Sequence, residues 1–345
     1  MKFKQYILNI IVVLGLFSAI LFMYETKYDE VDITPAVQAA ILELKENQEI
    51  IIFDSKNPFN FYDILNNLDK ASNQEVYGIL TYPEIKKDKY PVVIGVAGSL
   101  GWSKHHYGYL DRYLEAGIAV MSLHSFSSRG VKSTVGEQAS ATIPMIVHDA
   151  YMALEALSAR ENIDIKRVGI TGWSLGGGVA LFSAWKPIKE LISPDFQFAV
   201  HLPIYPPCIA QPEGLDFTDS PLHILIGEDD NWVPAEPCVE MVNSLKSKGH
   251  DIGVTVYPDS HHSFDRDMEL KVINHAYSLA DCRLSLSSNG VVRTKEYGFP
   301  LSNAMLQKIG LYFCAERGPT LGGNDNAREE AKIFSLDYMS KHLLK

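Results

Sequence analysis

The sequence predicts an α/β fold, with helices on both faces of a doubly wound, mostly parallel sheet. From residue 75 to residue 281, short runs of β-forming residues alternate with longer stretches of helical character. Such alternation is typical of strand–helix–strand units with right-handed crossovers, which build a parallel sheet. The length of 345 residues and the 46% hydrophobic content suit one large globular domain with short appendages.

The first 24 residues differ from the rest of the chain. Lys2 and Lys4 precede an almost uninterrupted apolar run of 19 residues, from residue 6 to residue 24. This run is long enough for a transmembrane helix, and acidic residues follow it, so we expect a membrane anchor with the body of the protein exported. A cleaved signal segment and a buried N-terminal helix are the alternatives.

Residues 25–70 are polar and acidic, which favours a connector. One helix is predicted in it, over residues 34–45, because Thr34 is a suitable N-cap and Pro35 suits the first helical position. The main domain is then expected to span residues 71–345.

The elements of the main domain follow from their hydrophobic patterns. Strands are predicted over residues 75–81, 91–96, 118–123, 167–171, 196–204, 222–226 and 253–257, and helices over residues 139–159, 175–184, 237–248 and 267–281. In such sheets ligands bind at the carboxyl ends of the strands. Residues that directly follow a strand are therefore the candidates for a functional site.

The clearest motif follows the strand over residues 167–171. The turn Gly-Trp-Ser-Leu-Gly at residues 172–176 leads into a glycine-rich helix start. Strand, tight turn and helix in this order predict a nucleophile elbow, in which flanking glycines leave room for a strained backbone that presents Ser174 above the sheet. An ordinary Gly-Ser turn is the alternative.

A serine nucleophile needs a neutral imidazole to take its proton and a carboxylate to orient that imidazole. Asp230 follows the strand over residues 222–226 and is the predicted carboxylate, with Asp229 as the alternative. His262 follows the next strand and is the predicted base, with His261 as the alternative.

Acyl transfer also needs donors for the developing oxyanion. The backbone N–H of Leu175, directly after the nucleophile, is the first candidate. Ser99, which has glycines close to it on both sides in the loop after the strand over residues 91–96, is the second. A purely structural turn is the alternative for this loop.

With these residues in place, residues 75–345 resemble the dienelactone hydrolase family of the α/β-hydrolase superfamily. The resemblance rests on Gly-Trp-Ser-Leu-Gly-Gly-Gly at residues 172–178, on residues 125–130, on the acid loop that runs into residues 234–238, and on His262-Ser263-Phe264. It implies the α/β-hydrolase fold and hydrolysis of small-molecule esters or lactones through an acyl-enzyme, with no metal or organic cofactor. Ser174 stands where the archetypal members have cysteine, and Ala97 stands where a histidine is common, so a substrate other than dienelactone is expected.

Arg129 and Trp173 are candidate substrate-binding residues. The planar guanidinium of Arg129 suits a substrate carboxylate, although an ion pair that fixes its loop is the favoured interpretation. Only residues 205–220 separate two successive strands, so no large cap domain is expected there and the site should be fairly open. Residues 283–324 are predicted to form a flap or a surface excursion.

The four cysteines suit an oxidising compartment. Four cysteines allow three pairings, of which we favour Cys208 with Cys238 and Cys282 with Cys314, and four free thiols are the alternative. No cysteine or histidine cluster has the spacing of a zinc site. A net charge of −11 without a basic face disfavours a nucleic-acid partner.

Two other functions are compatible with the same motifs. A serine peptidase of the prolyl-oligopeptidase type shares the order of the three residues but usually carries a large N-terminal propeller, for which about 70 residues leave no room. A binding module without activity is the second alternative.

Overall fold

The computed structural model describes residues 28–345, and a central sheet organises them. The first nine strands in chain order are β1 (Gln48–Lys56), β2 (Asn73–Thr81), β3 (Tyr90–Val96), β4 (Ala119–Leu123), β5 (Ile163–Trp173), β6 (Val200–Ile204), β7 (Ala210–Pro212), β8 (Leu222–Gly227) and β9 (Ile252–Tyr257). All except β7 join one eight-stranded sheet, in the order β1-β2-β4-β3-β5-β6-β8-β9. β1, β2 and β4 pair antiparallel, and every pair from β4 to β9 is parallel.

Helices cover both faces of this sheet. They are α1 (Thr34–Glu43), α2 (Phe61–Asn67), α3 (Lys104–Glu115), α4 (Ile143–Ser158), α5 (Leu175–Phe182), α6 (Lys186–Ile192), α7 (Ala235–Ser247), α8 (Ala304–Tyr312) and α9 (Asp325–Leu343). α4 packs against α5, and α3 packs against α9. The predicted doubly wound α/β fold is confirmed.

The core follows from the apolar runs of the central strands. Every residue of β3, β4 and β6 is buried. Strands covered on both faces need this continuous apolar character rather than alternation. The start of α4 is later than predicted, because the Thr142 side chain accepts the Met145 N–H and caps the helix there.

The connector prediction for residues 25–70 misses β1. This strand pairs along its whole length with β2, with Ile51 opposite Gly78, and it forms one edge of the sheet. Three consecutive isoleucines, Ile50 to Ile52, lie in a segment that is otherwise polar and acidic. Pairing with a distant strand therefore decides the structure of this segment, and the overall composition does not.

The helix predicted over residues 267–281 is wrong. This segment contains two short strands, β10 (Lys271–Val272) and β11 (Tyr277–Ser278). Each pairs with a strand that lies more than 35 residues further along the chain, namely β15 (Thr320–Leu321) and β14 (Glu316–Arg317) respectively. Ala276 is buried against Trp232, so tertiary contacts override the helical pattern.

We call residues 267–323 the excursion, because they leave the sheet after β9 and return to it with α9. The excursion also contains β12 (Leu284–Leu286), β13 (Val292–Thr294) and α8. β12 pairs in parallel with β7, which attaches the excursion to the body of the molecule. The excursion lies beside the predicted site and contributes residues to the cavity at Ser174.

Both predicted disulfides are confirmed. Cys208 is bonded to Cys238, and Cys282 to Cys314. The second bridge lies within the excursion and is part of a small apolar cluster there. Such bonds persist in oxidising compartments and indicate an extracytoplasmic protein. The anchor predicted over residues 1–24 lies outside the described residues, and within residues 28–345 no helix has the length and apolar character that a membrane span requires.

Candidate active site

The turn between β5 and α5 holds Ser174 in a strained conformation. Its φ is 56° and its ψ is −115°, a region that residues with a side chain rarely adopt. The flanking glycines allow the turn to form, because a Cβ on Gly172 would lie 2.2 Å from the Gly176 carbonyl oxygen and a Cβ on Gly176 would lie 2.1 Å from the Val96 carbonyl oxygen. Only glycine fits at these two positions.

A chain of hydrogen bonds connects Ser174, His262 and Asp230. The Ser174 Oγ lies 2.9 Å from His262 Nε2, and His262 Nδ1 lies 2.7 Å from Asp230 Oδ2. Because a carboxylate only accepts, Nδ1 carries the proton and Nε2 accepts the serine hydroxyl. His262 is only 2% exposed and Asp230 only 3% exposed, so bulk water does not compete for these contacts.

The backbone of the acid loop fixes Asp230. Its Oδ1 accepts the N–H groups of Trp232 and Val233, each at 2.9 Å. These two contacts hold the carboxylate in one orientation. The alternatives do not reach this position: Asp229 is exposed, and the His261 Nδ1 contacts the Thr320 hydroxyl at 2.9 Å.

The two predicted oxyanion donors lie beside Ser174. Leu175 is the first residue of α5, where backbone N–H groups have no partner within the helix. Ser99 lines the same cavity as Ser174 and Leu175. A Cβ on the neighbouring Gly98 would lie 3.4 Å from the Ser174 Cβ, so this loop closely approaches the nucleophile.

Arg129 does not face the site. Its guanidinium is paired with both carboxylate oxygens of Asp149, at 2.7 and 2.9 Å, and its Nε donates to Asn57 Oδ1 at 2.7 Å. The residue is 8% exposed, and all of these partners are protein groups. The prediction of substrate binding by Arg129 is wrong, since the guanidinium fixes its loop to α4 and to the end of β1.

The Trp173 side chain is also turned into the molecule. Its indole is fully buried and packs against the rings of His106, Trp102 and Tyr109 at centroid distances of 4.6, 6.3 and 5.4 Å. Trp173 therefore supports the turn from below, and its buried side chain offers a substrate no exposed surface.

Sequence reasoning missed three residues around His262. The Tyr205 ring lies against the imidazole with the centroids 4.9 Å apart, and its hydroxyl donates to Asp265 Oδ1 at 2.8 Å. Asp265 is fully buried, and this burial raises its pKa to about 6 despite the hydrogen bond from Tyr205. Burial also lowers the pKa of His105, whose Nε2 lies 3.9 Å from Asp265. Arg266, the third missed residue, lines the cleft at His262.

Two depressions meet at Ser174 and differ in character. A narrow cleft is lined by His262, Tyr205 and Arg266. A larger apolar cavity of about 190 Å³ lies on the Leu175 side and is lined by both the body and the excursion. Among residues 28–345, no group of three or more histidine, cysteine, aspartate or glutamate side chains could hold a metal ion.

The chain is similar in sequence to known proteins. The family model described as the dienelactone hydrolase family matches residues 77–282, which is more than half of the chain. A Yersinia pestis protein, whose name assigns it provisionally to the carboxymethylenebutenolidases, is 25% identical over 215 residues, covering 57% of this chain and 77% of that protein.

A solved structure shares the fold. A dienelactone hydrolase-like promiscuous phosphotriesterase from metagenomic libraries superposes with a TM-score of 0.51 at 14% identity, covering 86% of this chain and 99% of that one. A Klebsiella pneumoniae protein, described provisionally as a dienelactone hydrolase, gives a TM-score of 0.46 at 18% identity, covering 63% of this chain and 89% of its own.

Proposed function

Because the chain belongs to the dienelactone hydrolase family and is thus a hydrolase acting on ester bonds, we propose that it cleaves carboxylic esters or lactones through an acyl-enzyme on Ser174. The observation that carries the proposal is the unbroken hydrogen-bond chain from the Ser174 Oγ through His262 to Asp230. A hydroxyl in contact with an unprotonated imidazole nitrogen is an activated nucleophile.

The first half of the reaction forms the acyl-enzyme. The Ser174 Oγ attacks the ester carbonyl carbon while His262 Nε2 takes its proton, and the carbonyl electron pair moves to the oxygen. The Leu175 and Ser99 amides donate to this oxyanion. When the intermediate collapses, the bond to the alcohol oxygen breaks and the proton on His262 passes to the departing alcohol.

The second half releases the acid. Water attacks the acyl carbon while His262 takes one of its protons, and collapse returns that proton to the Ser174 oxygen. Asp230 remains ionised throughout and stabilises the imidazolium that forms in each half. In this mechanism the proton of the Ser174 hydroxyl leaves with the alcohol, and a proton from water restores it.

The test removes the nucleophile. We expect Ser174→Ala to lower kcat for p-nitrophenyl acetate by about 10⁶-fold, to the level that the remaining donors supply, and to abolish labelling by a fluorophosphonate probe. Ser158→Ala, which changes an exposed serine at the end of α4, is the matched control and should retain both. Full activity of the Ser174→Ala enzyme would exclude the mechanism.

The location of the enzyme is proposed from the N-terminal sequence. Residues 1–24 serve as a membrane anchor, and the rest of the chain acts outside the cytoplasm, where the two disulfides persist. Fractionation of cells that express the full chain should recover activity with the membranes. A mature protein in the soluble fraction that begins near residue 25 would favour a cleaved signal segment instead.

A further inference from the structure

The apolar cavity beside Ser174 has two walls of different origin. The body contributes Phe61 and Phe182, and the excursion contributes Leu284, Val292 and Leu311. Building on the proposed function, we propose that this cavity is the acyl-group pocket and that the excursion sets its size. The substrates are then esters of apolar carboxylic acids.

Three of the polar side chains at the cavity already have hydrogen-bond partners within the protein. The Asn60 amide donates to the Ser302 carbonyl at 2.7 Å, the Thr142 hydroxyl to the Phe59 carbonyl at 2.8 Å, and the Gln307 amide to the Gln138 carbonyl at 2.8 Å. A polar acyl group would lose its water and find few partners here, which costs free energy. An apolar acyl group gains from the same burial.

The volume limits the size of the acyl group. An apolar cavity of about 150 Å³ is sufficient to hold benzene. The cavity here measures about 190 Å³, so it accepts a group of roughly the size of a phenyl ring or a six-carbon chain. A twelve-carbon chain exceeds this space and must extend into solvent.

The position of His262 decides which half of the substrate enters the cavity. His262 gives its proton to the departing alcohol oxygen, so this oxygen must lie on the His262 side. His262 lines the narrow cleft with Tyr205 and Arg266 but does not line the cavity, whereas Leu175 lines the cavity but not the cleft. The alcohol therefore occupies the narrow cleft, and the acyl group occupies the cavity.

The excursion wall is fixed to the body before substrate arrives. Leu284 donates its N–H to the Ile209 carbonyl at 2.8 Å, within the pairing of β12 with β7. The bonds from Asn60 to Ser302 and between Gln307 and Gln138 also join the excursion to the body. Leu284, Leu301 and Leu311 are themselves buried in the cluster around the Cys282–Cys314 disulfide. A wall held in this way has a defined shape and can discriminate by size.

The experiment measures kcat/KM of the full chain for p-nitrophenyl esters with acetyl, butyryl, hexanoyl, octanoyl and dodecanoyl groups. For the wild type we expect the value to rise at least tenfold from acetate to hexanoate and to fall at dodecanoate. Val292 is half-buried in the wall, so Val292→Phe fills the cavity and should lower the hexanoate-to-acetate ratio at least tenfold. Val272→Phe is the matched control, because Val272 is 58% exposed on the same excursion, away from the cavity, and the ratio should not change.

A second variant and a second series of substrates distinguish a change in the cavity from a folding defect and from an effect on the alcohol group. Val292→Ala enlarges the cavity and should move the optimum to longer acyl groups, which a folding defect would not do. Acetate esters of increasingly large alcohols should show the same relative kcat/KM in the wild type and in Val292→Phe. A change confined to the alcohol series would assign the cavity to the alcohol and overturn the proposal.

The two proposals fail in different ways. Wild-type hydrolysis that depends on Ser174 but has no preference among acyl groups would exclude the acyl pocket and leave the proposed function intact. Hydrolysis that persists in Ser174→Ala would exclude the proposed function itself.

Discussion

The Asp230 carboxylate uses its two oxygens for different purposes. Oδ2 contacts His262, and Oδ1 accepts the backbone N–H groups of Trp232 and Val233. An amide at this position could keep one set of contacts, but its NH₂ group cannot accept the His262 Nδ1–H. The imidazole would then carry its proton on the nitrogen that faces Ser174.

We therefore expect Asp230→Asn to lower kcat for an activated ester by about 10⁴-fold, with a far smaller change in KM. Asp229→Asn alters the adjacent exposed carboxylate and should leave kcat unchanged. Steady-state kinetics of both variants check this. Equal effects of the two substitutions would show that the loop, and not the contact with His262, is what matters.

Asp265 predicts a pH dependence of stability. Burial raises its pKa to about 6, above the usual value of 3.8, so the folded state favours the protonated form. The contribution of the Asp265 carboxyl to the free energy of unfolding is therefore fully present below pH 3.8 and is lost as the pH rises through 6. Asp265→Asn is neutral at every pH and should lack this loss.

The measurement is urea unfolding at pH 4 and pH 7. Between these values the stability of Asp265→Asn relative to the wild type should increase by about 2 kcal/mol. Asp267→Asn, which alters an exposed carboxylate two residues away, serves as the control. A constant difference between Asp265→Asn and the wild type would contradict the raised pKa.

Site residues that lie in a sequence motif could be predicted from the sequence. Site residues whose contacts depend only on the tertiary structure could not. Ser174, Asp230 and His262 each follow a strand in a recognisable turn, and the structure brings them together. Tyr205 and Asp265 are 60 residues apart and carry no local signal for their contact. Arg129 has the chemistry for a ligand, and only the buried Asp149 shows that its charge is already compensated.

At the scale of single elements, the turn at Ser174 depends on close contact with β3. A Cβ on Gly176 would lie 2.1 Å from the Val96 carbonyl oxygen and 2.6 Å from that of Ala97, which are backbone atoms that cannot rotate away. Gly176→Ala should therefore destabilise the protein by about 3 kcal/mol. Gly214→Ala, where no atom lies within 4 Å of the added methyl group, should stay within about 0.5 kcal/mol of the wild type. Thermal unfolding checks both, and equal melting temperatures would show that the turn relaxes freely.

Strands that are buried along their whole length could be predicted from the sequence. β3 and β4 are apolar along their whole length because helices cover both faces, and that pattern can be read locally. β1 lies in an acidic segment, and β10 and β11 pair with strands far along the chain. Their structure depends on partners that a local pattern does not contain, which is why the connector and the helix over residues 267–281 were mistaken.

At the scale of the whole molecule, the two disulfides lie in different regions, Cys208–Cys238 in the body and Cys282–Cys314 in the excursion. Cys282–Cys314 closes a segment with a sequence separation of 32 inside the excursion. A loop of this size contributes about 3 to 4 kcal/mol by restricting the unfolded chain. The apolar cluster around this bond is small and includes Ile209 of the body, so the excursion should depend on the bond more than the sheet does.

We therefore expect the double variant Cys282→Ser, Cys314→Ser to be cleaved by protease first within residues 267–323, while the sheet keeps its circular dichroism. Limited proteolysis with mass spectrometry locates the cut sites. Cleavage that begins instead in the body would show that the excursion and the sheet unfold as one unit.

The two ends of the excursion lie next to each other. The Gly323 N–H donates to the Met268 carbonyl at 2.9 Å, and the Arg328 side chain donates to the Arg266 carbonyl at 3.0 Å. An inserted segment whose ends meet can be lengthened, shortened or exchanged during evolution without moving the elements on either side. The histidine loop and α9 could thus remain constant in a lineage while the segment between them diversifies, so that new specificities arise by grafting and the chemistry is inherited unchanged.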